Sequence, residues 1–264
     1  RSTLSSSSAA SDVYKRQLAE SVDQAYELNQ KKNNIVLGGT GWLKTGRKSY
    51  GTAIDLSGLG LDTITENEEE FSIGCMVTLR QIETHEGLNQ YFNHACQEAV
   101  RHIVGIQFRN LATVGGSIYG RFGFSDVLTC FLAMDSYVEL FSGGIVPLRE
   151  FAQMKYDRDI LIRLIVKKDG RRTAYQSFRL QSTDFPVVAV CAAELADGSQ
   201  VAAVGARPAR AVLRELENGR WKEPVVFGSN MRAGREYRSF LADTLLNRAL
   251  EEIRNGTEPD KEER

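Results

Sequence analysis

The sequence predicts an α+β fold, because strand pairs and helices occupy separate parts of its last third. Two pairs of strand-like segments each flank a turn signal, Lys-Lys-Asp-Gly or Ala-Asp-Gly-Ser, and so predict hairpins: 160–166 with 172–180, and 187–195 with 200–205. Apolar residues at helical spacing predict helices over 207–216 and 239–253. This order favours an antiparallel sheet that carries helices on one face.

The earlier part of the chain is predicted to mix helices with short strands. Residues 1–17 are rich in serine and alanine and end in a stretch similar to translated sequencing adaptor, so we expect a non-native or disordered leader there. Periodicity and capping predict the following elements: a helix over 18–31, strands over 35–37, 53–56, 70–76 and 137–141, a solvated turn over 66–70, a helical turn capped by Thr78, and helices over 88–100 and 126–134.

The composition is that of a soluble globular protein of one large or two modest domains. Of 264 residues, 42% are hydrophobic and 25% are charged, with a formal net charge of −1, which gives no support for nucleic acid or an anionic membrane as partner. The four cysteines are widely spaced, which argues against iron–sulfur, zinc and disulfide frameworks and for reduced thiols in the cytoplasm. We predict no metal site and no catalytic triad in this chain.

Two glycine-rich segments carry the functional signal. Val-Leu-Gly-Gly-Thr-Gly at 36–41 and Arg-Asn-Leu-Ala-Thr-Val-Gly-Gly-Ser-Ile at 109–118 each follow apolar residues, and Ser-Asp follows at 125–126. Glycine lets a backbone turn approach another molecule closely, and the amides of such a turn bind phosphate oxygens. Two turns of this kind predict a ligand with a pyrophosphate, such as a dinucleotide.

Two common nucleotide-binding motifs do not fit. A Rossmann fingerprint would need glycine where Lys44 stands, and a P-loop would need lysine where Arg47 stands. The residues after either turn also do not have the helical pattern that both motifs need.

The same segments resemble the FAD-binding subunit of molybdenum hydroxylases, the family of xanthine dehydrogenase and carbon monoxide dehydrogenase. That family's blocks A-G-G-T-D-L, I-D-L-S, I-G-A-x-x-T-L and R-N-x-A-T-I-G-G-N-I are similar to segments 37–42, 54–57, 73–79 and 109–118. Its closing Y-R…L-x-R-A-L helix is similar to 237–250, and the resemblance extends over about residues 18–253. Two departures are Gly41 in place of an acidic residue and Ser117 in place of asparagine.

The resemblance implies a two-lobed FAD-binding fold of the molybdopterin-dehydrogenase and vanillyl-alcohol-oxidase type over 18–170, followed by an antiparallel α+β domain over 171–264. It implies a pyrophosphate cradle on the first segment, a second wall from the second segment, a ribose contact or loop support from the Ser-Asp pair, and two apolar contacts to the flavin. The implied cofactor-binding residues are Val36, Leu37, Gly38, Gly39, Thr40, Gly41, Trp42, Ile103, Thr113, Gly116, Ser117, Ser125, Asp126 and Leu161. Gln176, Ser177 and Arg179 are the candidates for the position of a flavin-proximal lysine of the family.

The implied function is electron transfer within a xanthine dehydrogenase-like complex. Electrons would come from a two-iron two-sulfur small subunit through FAD to NAD⁺, while a molybdopterin-binding large subunit would hydroxylate the substrate. Flavin chemistry needs no catalytic triad, because the isoalloxazine carries the redox step. Two alternatives remain open: a stand-alone flavin reductase or oxidase, and a structural assembly subunit that has lost its flavin.

Overall fold

Three β-sheets organise the chain in a computed structural model, which describes residues 13–41, 43 and 46–256. The strands are β1 (Val13–Leu18), β2 (Asn34–Leu37), β3 (Tyr50–Asp55), β4 (Ile64–Glu66), β5 (Glu70–Gly74), β6 (Ser136–Leu140), β7 (Gly144–Pro147), β8 (Leu161–Lys167), β9 (Arg172–Phe178), β10 (Val188–Glu194), β11 (Gln200–Gly205), β12 (Val212–Glu217) and β13 (Arg220–Trp221). The described helices are α1 (Val22–Asn29), α2 (Leu79–Thr84), α3 (Glu86–Tyr91), α4 (Ala95–Arg101), α5 (Ile106–Arg109), α6 (Val114–Tyr119), α7 (Asp126–Leu132), α8 (Leu148–Phe151) and α9 (Arg235–Asn255). This mixture of sheets and helices confirms the α+β class.

The first sheet is parallel and has the order β1-β3-β2. Its strand β1 includes residues 13–17, so a disordered leader over the whole of 1–17 is wrong for these five residues, while a non-native origin of the leader stays a prediction. Residues 1–12 lie outside the described part of the chain. The predicted helix over 18–31 is shorter, because Ser21 has an extended backbone and caps α1 by accepting a hydrogen bond from the Gln24 amide.

The second and third sheets are antiparallel, with the orders β4-β5-β8-β6-β7 and β13-β12-β11-β10-β9. The hairpin predicted around Lys-Lys-Asp-Gly is wrong, because β8 already has β5 and β6 on its two edges while β9 pairs with β10. The segment 168–171 therefore links two sheets, and Arg171 fixes this link by donating to the Ala133 carbonyl (2.6 Å). The hairpin of β10 and β11 is confirmed.

Two other predicted helices differ from the structure. Residues 212–217 form strand β12 because alternate side chains meet opposite buried faces: Val212 packs in one core and Leu213 against the other. The predicted helix over 88–100 is divided into α3 and α4, because Asn93 (φ 50°) and His94 (φ 60°) both adopt the left-handed region.

The third sheet separates two hydrophobic cores. Cys191 and Ala193 of β10 face the larger core, whereas Val190 and Ala192 face the smaller one beneath α9. Because both faces of the sheet are covered at β10, the sequence of this strand is a nearly continuous run of apolar residues. Of the helices in the described residues, none is both long and apolar enough to cross a membrane.

Candidate functional site

The two glycine-rich segments lie directly against each other in the fold. We call residues 38–41 the first loop and residues 111–117 the second loop. A Cβ atom at Gly39 would lie 2.3 Å from the Leu111 carbonyl oxygen and 2.4 Å from Ala112 Cα, both backbone atoms. A Cβ at Gly38 would lie 2.9 Å from Thr113 Oγ1. Only glycine permits this approach, so the contact between the loops explains the Gly-Gly pair.

The first loop continues from the end of β2. Thr40 adopts a left-handed backbone (φ 57°), which reverses the chain directly after the glycine pair. Gly41 faces the ring of Phe108, since a Cβ there would lie 3.1 Å from two ring carbons. The aromatic ring therefore occupies the space toward which a side chain at this position would point. Trp42, a predicted site residue, lies outside the described residues.

The second loop leads into α6 and is fastened to the rest of the fold by its backbone. The amide of Gly115 donates to the Cys75 carbonyl (2.8 Å), and the amide of Leu79 donates to the Ala112 carbonyl (2.8 Å). Thr113 caps α6 by accepting from the Gly116 amide (3.2 Å). These bonds hold the loop against α2 and β5.

Gly116 and Ser117 form the outer surface of the second loop. Gly116 is exposed, and a Cβ there would meet only Thr113 Oγ1, at 3.2 Å, within 4 Å. Ser117 is half-buried, and its hydroxyl donates to the Thr113 carbonyl (2.9 Å). A glycine-rich turn that lies beside this surface without a side chain at Gly116 fits a phosphate-bearing cofactor such as FAD.

Ser125 and Asp126 lie behind this surface. The Ser125 hydroxyl caps α7, accepting from the Leu128 amide (3.1 Å), and donates to the Ser117 carbonyl (3.0 Å). Asp126 is buried, and its Oδ1 accepts hydrogen bonds from the Tyr175 hydroxyl and from Arg179 Nη2 (2.6 Å). These contacts attach Asp126 to Tyr175 of β9 and to Arg179, and both of its predicted roles, a ribose contact and loop support, stay predictions.

The apolar members of the predicted site do not form one surface. Val36 and Ile103 are half-buried and pack against the larger core, while Leu161 lies inside it. Leu37 pairs with Asp55 at the end of β2. The structure therefore brings together the glycine loops, and it places Leu161 in the core.

The candidates for the lysine position point to different partners. The Gln176 amide donates to Glu252 Oε2 (2.7 Å), and Arg179 forms the ion pair with Asp126. Ser177 pairs with Ala189 within the third sheet. Which of them takes the lysine's position stays a prediction.

A buried ion pair beside the second loop was not predicted. Arg109 Nε donates to Glu83 Oε2 (2.7 Å) and Arg109 Nη2 to Glu83 Oε1 (3.0 Å). Burial raises the pKa of Glu83, but the hydrogen bonds and charges of Arg109 and Arg80 outweigh it, so the pKa of Glu83 lies below its ordinary value. Arg109 belongs to the motif, whereas no sequence pattern points to its partner.

Cys75 lies against the second loop, since a Cβ at Gly115 would lie 2.8 Å from its Cβ. Burial raises the pKa of the Cys75 thiol to about 12. The thiol therefore stays protonated at neutral pH, and we assign it to packing rather than to chemistry.

Val104 carries backbone strain at the edge of the site. It is a β-branched residue in the left-handed region (φ 53°) and is 52% exposed, so it gains little from packing. We expect Val104→Gly to raise the free energy of unfolding by about 1 kcal/mol, measured by urea denaturation. Val226→Gly is the control, because Val226 is exposed without a positive φ. A Val104→Gly protein less stable than wild type would contradict the strain.

A protein-family comparison agrees with the geometry of the loops. The family model described as the FAD binding domain in molybdopterin dehydrogenase matches residues 12–168. Among curated proteins, the chain is 25% identical over 207 residues to Uncharacterized protein YgfM of Escherichia coli strain K12, a match over 75% of this chain and 76% of that protein.

Solved structures share the fold at low sequence identity. A chain of the carbon monoxide dehydrogenase from Hydrogenophaga pseudoflava that lacks the Mo-pyranopterin moiety matches with a TM-score of 0.81 and 18% identity, over 93% of this chain and 98% of that one. Quinoline 2-oxidoreductase from Pseudomonas putida 86 matches with a TM-score of 0.79 and 16% identity, over 93% of this chain and 98% of that one. Reconstituted CO dehydrogenase from Oligotropha carboxidovorans matches with a TM-score of 0.79 and 19% identity, over 94% of this chain and 99% of that one.

Proposed function

This chain belongs to the family of FAD-binding domains of molybdopterin dehydrogenases, and on that premise we propose that it is the electron-transfer subunit of a molybdenum hydroxylase complex. The family match confirms FAD as the cofactor that the glycine-rich segments predict. When bound, FAD supplies the redox chemistry, and the protein binds and orients it.

The contact between the two loops is the observation that carries the proposal. Gly38 and Gly39 pack against the second loop without room for a Cβ, and Gly116 leaves the outer side of the same junction free of side chains. We assign the pyrophosphate to the backbone of the first loop, on the side where Gly38 lies next to Gly116. The amides of Gly116 and Ser117 already donate to Thr113 and hold the second loop in shape.

The electron path and the partners are the finer part of the proposal. We propose that electrons arrive from a two-iron two-sulfur small subunit and leave to NAD⁺, and that a molybdopterin-binding large subunit hydroxylates a substrate of the xanthine type in the cytoplasm. The motif resemblance supports these assignments. The names of two structural neighbours, carbon monoxide dehydrogenase and quinoline 2-oxidoreductase, indicate that other substrate classes share this fold.

An anaerobic absorption spectrum tests the proposal. The purified protein is incubated with FAD, freed of excess cofactor by gel filtration, and recorded before and after addition of NADH. We expect retained bands near about 370 and 450 nm that bleach with NADH. Gly116→Asp protein, treated in parallel, is the control for adventitious flavin.

Each other outcome selects a different function. Bands that bleach with dithionite but persist with NADH contradict NAD⁺ as the acceptor and keep the flavin. No retained bands contradict flavin binding and favour the assembly subunit. Rapid turnover of NADH with oxygen by the isolated chain favours the stand-alone reductase or oxidase.

A further inference from the structure

Arg109 makes three contacts that join separate parts of the site. Its guanidinium pairs with both carboxylate oxygens of Glu83 and also donates from Nη1 to the Ile103 carbonyl (3.3 Å). Glu83 lies near the end of α2 and is also paired with Arg80 (2.9 Å). Arg109 is 5% exposed, so these contacts are shielded from solvent.

The segment that Arg109 holds leads directly into the loop contact. Ile103 precedes the strained Val104, and Arg109 precedes Leu111 and Ala112, the residues against which Gly39 packs. Because the side chain of Arg109 bonds back to the Ile103 carbonyl, the segment 103–109 is closed into a compact turn. Arg109, the last residue of this turn, lies two positions before Leu111, so the position of the turn determines where the Leu111 carbonyl contacts the first loop.

Helix α2 is attached to the second loop at its other end. The Leu79 amide donates to the Ala112 carbonyl (2.8 Å), and Thr78 forms an isolated β-bridge with Thr113. The helix is therefore tied to the second loop at its start and to Arg109 near its end. A displacement of Arg109 would shift both supports of the loop.

We propose that Arg109 is a positioning residue for the FAD site, which sets the position of the second loop through Glu83 and the Ile103 carbonyl. This inference rests on the proposed function, because it assigns a consequence for FAD affinity. Arginine is required by geometry: its planar fork reaches two carboxylate oxygens and a carbonyl together, whereas a lysine ammonium cannot reproduce that arrangement.

Arg171 supplies a matched control. It also pairs with both oxygens of a carboxylate, that of Asp169, and donates to one backbone carbonyl, that of Ala133. It is 8% exposed, comparable with Arg109. Ala133 follows the C-terminal end of α7, whereas Ser125, which contacts the second loop, caps its start. Loss of either arginine removes an ion pair to both carboxylate oxygens and a bond to a backbone carbonyl, although Asp169 is more exposed than Glu83. Of the two arginines, only Arg109 adjoins the loops.

The experiment measures FAD affinity and backbone exchange in the same full-length variants. The dissociation constant is obtained from flavin fluorescence at a temperature at which circular dichroism shows every variant to be folded. We expect Arg109→Gln and Arg109→Lys to raise the dissociation constant about 10- to 100-fold, and Arg171→Gln to leave it within about twofold. Hydrogen exchange of the apo proteins is expected to speed up at amides 111–117 only in the Arg109 variants.

Glu83→Gln keeps the experiment decisive if the Arg109 variants unfold, because the glutamine side chain keeps one acceptor oxygen for Arg109. We expect this substitution to raise the dissociation constant for FAD by less than the Arg109 substitutions do. An Arg109→Lys protein with wild-type affinity, or an equal loss in Arg171→Gln, would overturn the positioning role. If the wild-type protein takes up no FAD, the proposed function fails. Unchanged exchange at 111–117 would independently reject the role of Arg109.

Discussion

Gly39→Ala protein is expected to retain no FAD after gel filtration and to lose about 2–3 kcal/mol of unfolding free energy. The added Cβ would lie 2.3 Å from the Leu111 carbonyl oxygen and 2.4 Å from Ala112 Cα. These are backbone atoms, so no side-chain rotation relieves the overlap. Ala112 is also held at both its polar groups, by the Phe108 carbonyl and the Leu79 amide (both 2.8 Å). The loops must therefore separate, which opens the cradle.

The measurement combines urea denaturation with the absorbance of retained flavin. Gly51→Ala is the control, because a Cβ at Gly51 in β3 would have no neighbour closer than 3.5 Å. Gly51→Ala is expected to bind FAD as the wild type does. A Gly39→Ala protein with undiminished flavin content would show that the contact between the loops is not required for the cofactor.

Gly116→Asp is expected to raise the dissociation constant for FAD more than about 100-fold without destabilising the apo protein. Gly116 is the third residue after the Thr113 cap, where a carboxylate is favourable to a helix, and it is exposed, with Thr113 Oγ1 at 3.2 Å as the contact that an added Cβ would make. The same carboxylate would occupy the proposed place of the pyrophosphate and repel its negative charges. The change therefore separates cofactor binding from folding.

Gly116→Asn is the matched control, because asparagine has nearly the same shape without the charge. We expect a loss of about tenfold for asparagine, and a difference between the two variants that shrinks with added salt, because ions screen exposed charges. Isothermal titration at low and high salt measures both effects. Equal affinities for the Asp and Asn variants would place the pyrophosphate elsewhere.

Local sequence signals predicted correctly those features that depend only on residues close together in the sequence. The Thr78 cap and the hairpin of β10 and β11 follow from residues that are close in sequence, and both are present. The glycine-rich segments indicated a close backbone approach, which was predicted to be to another molecule. They could not show that the first approach is made to the second segment itself, because that contact joins residues about 70 positions apart.

Long-range pairing explains the errors. The strand signals of β8 and β9 are correct, but the turn signal between them suggested a mutual pairing that the other strands of each sheet prevent. The ion pair of Arg109 and Glu83 spans 26 positions and has no sequence pattern, since a lone acidic residue on a helix is ordinarily solvated. The burial of Asp126 against Arg179 also had no local signal, because it depends on how the third sheet packs.

The strand order of the second sheet has a consequence for biosynthesis. Strand β5, which leads into α2, pairs with β8, and the ion pair of Glu70 and Lys167 joins residues 97 positions apart. A nascent chain that ends before β8 leaves one edge of β5 open, and such non-local pairing forms slowly. In the antiparallel meander from β9 to β13, each strand pairs only with strands adjacent in sequence, so its pairing does not depend on a distant strand. We therefore expect flavin uptake to begin only after residue 167 has left the ribosome, so that ribosome-bound chains shorter than this carry no cofactor.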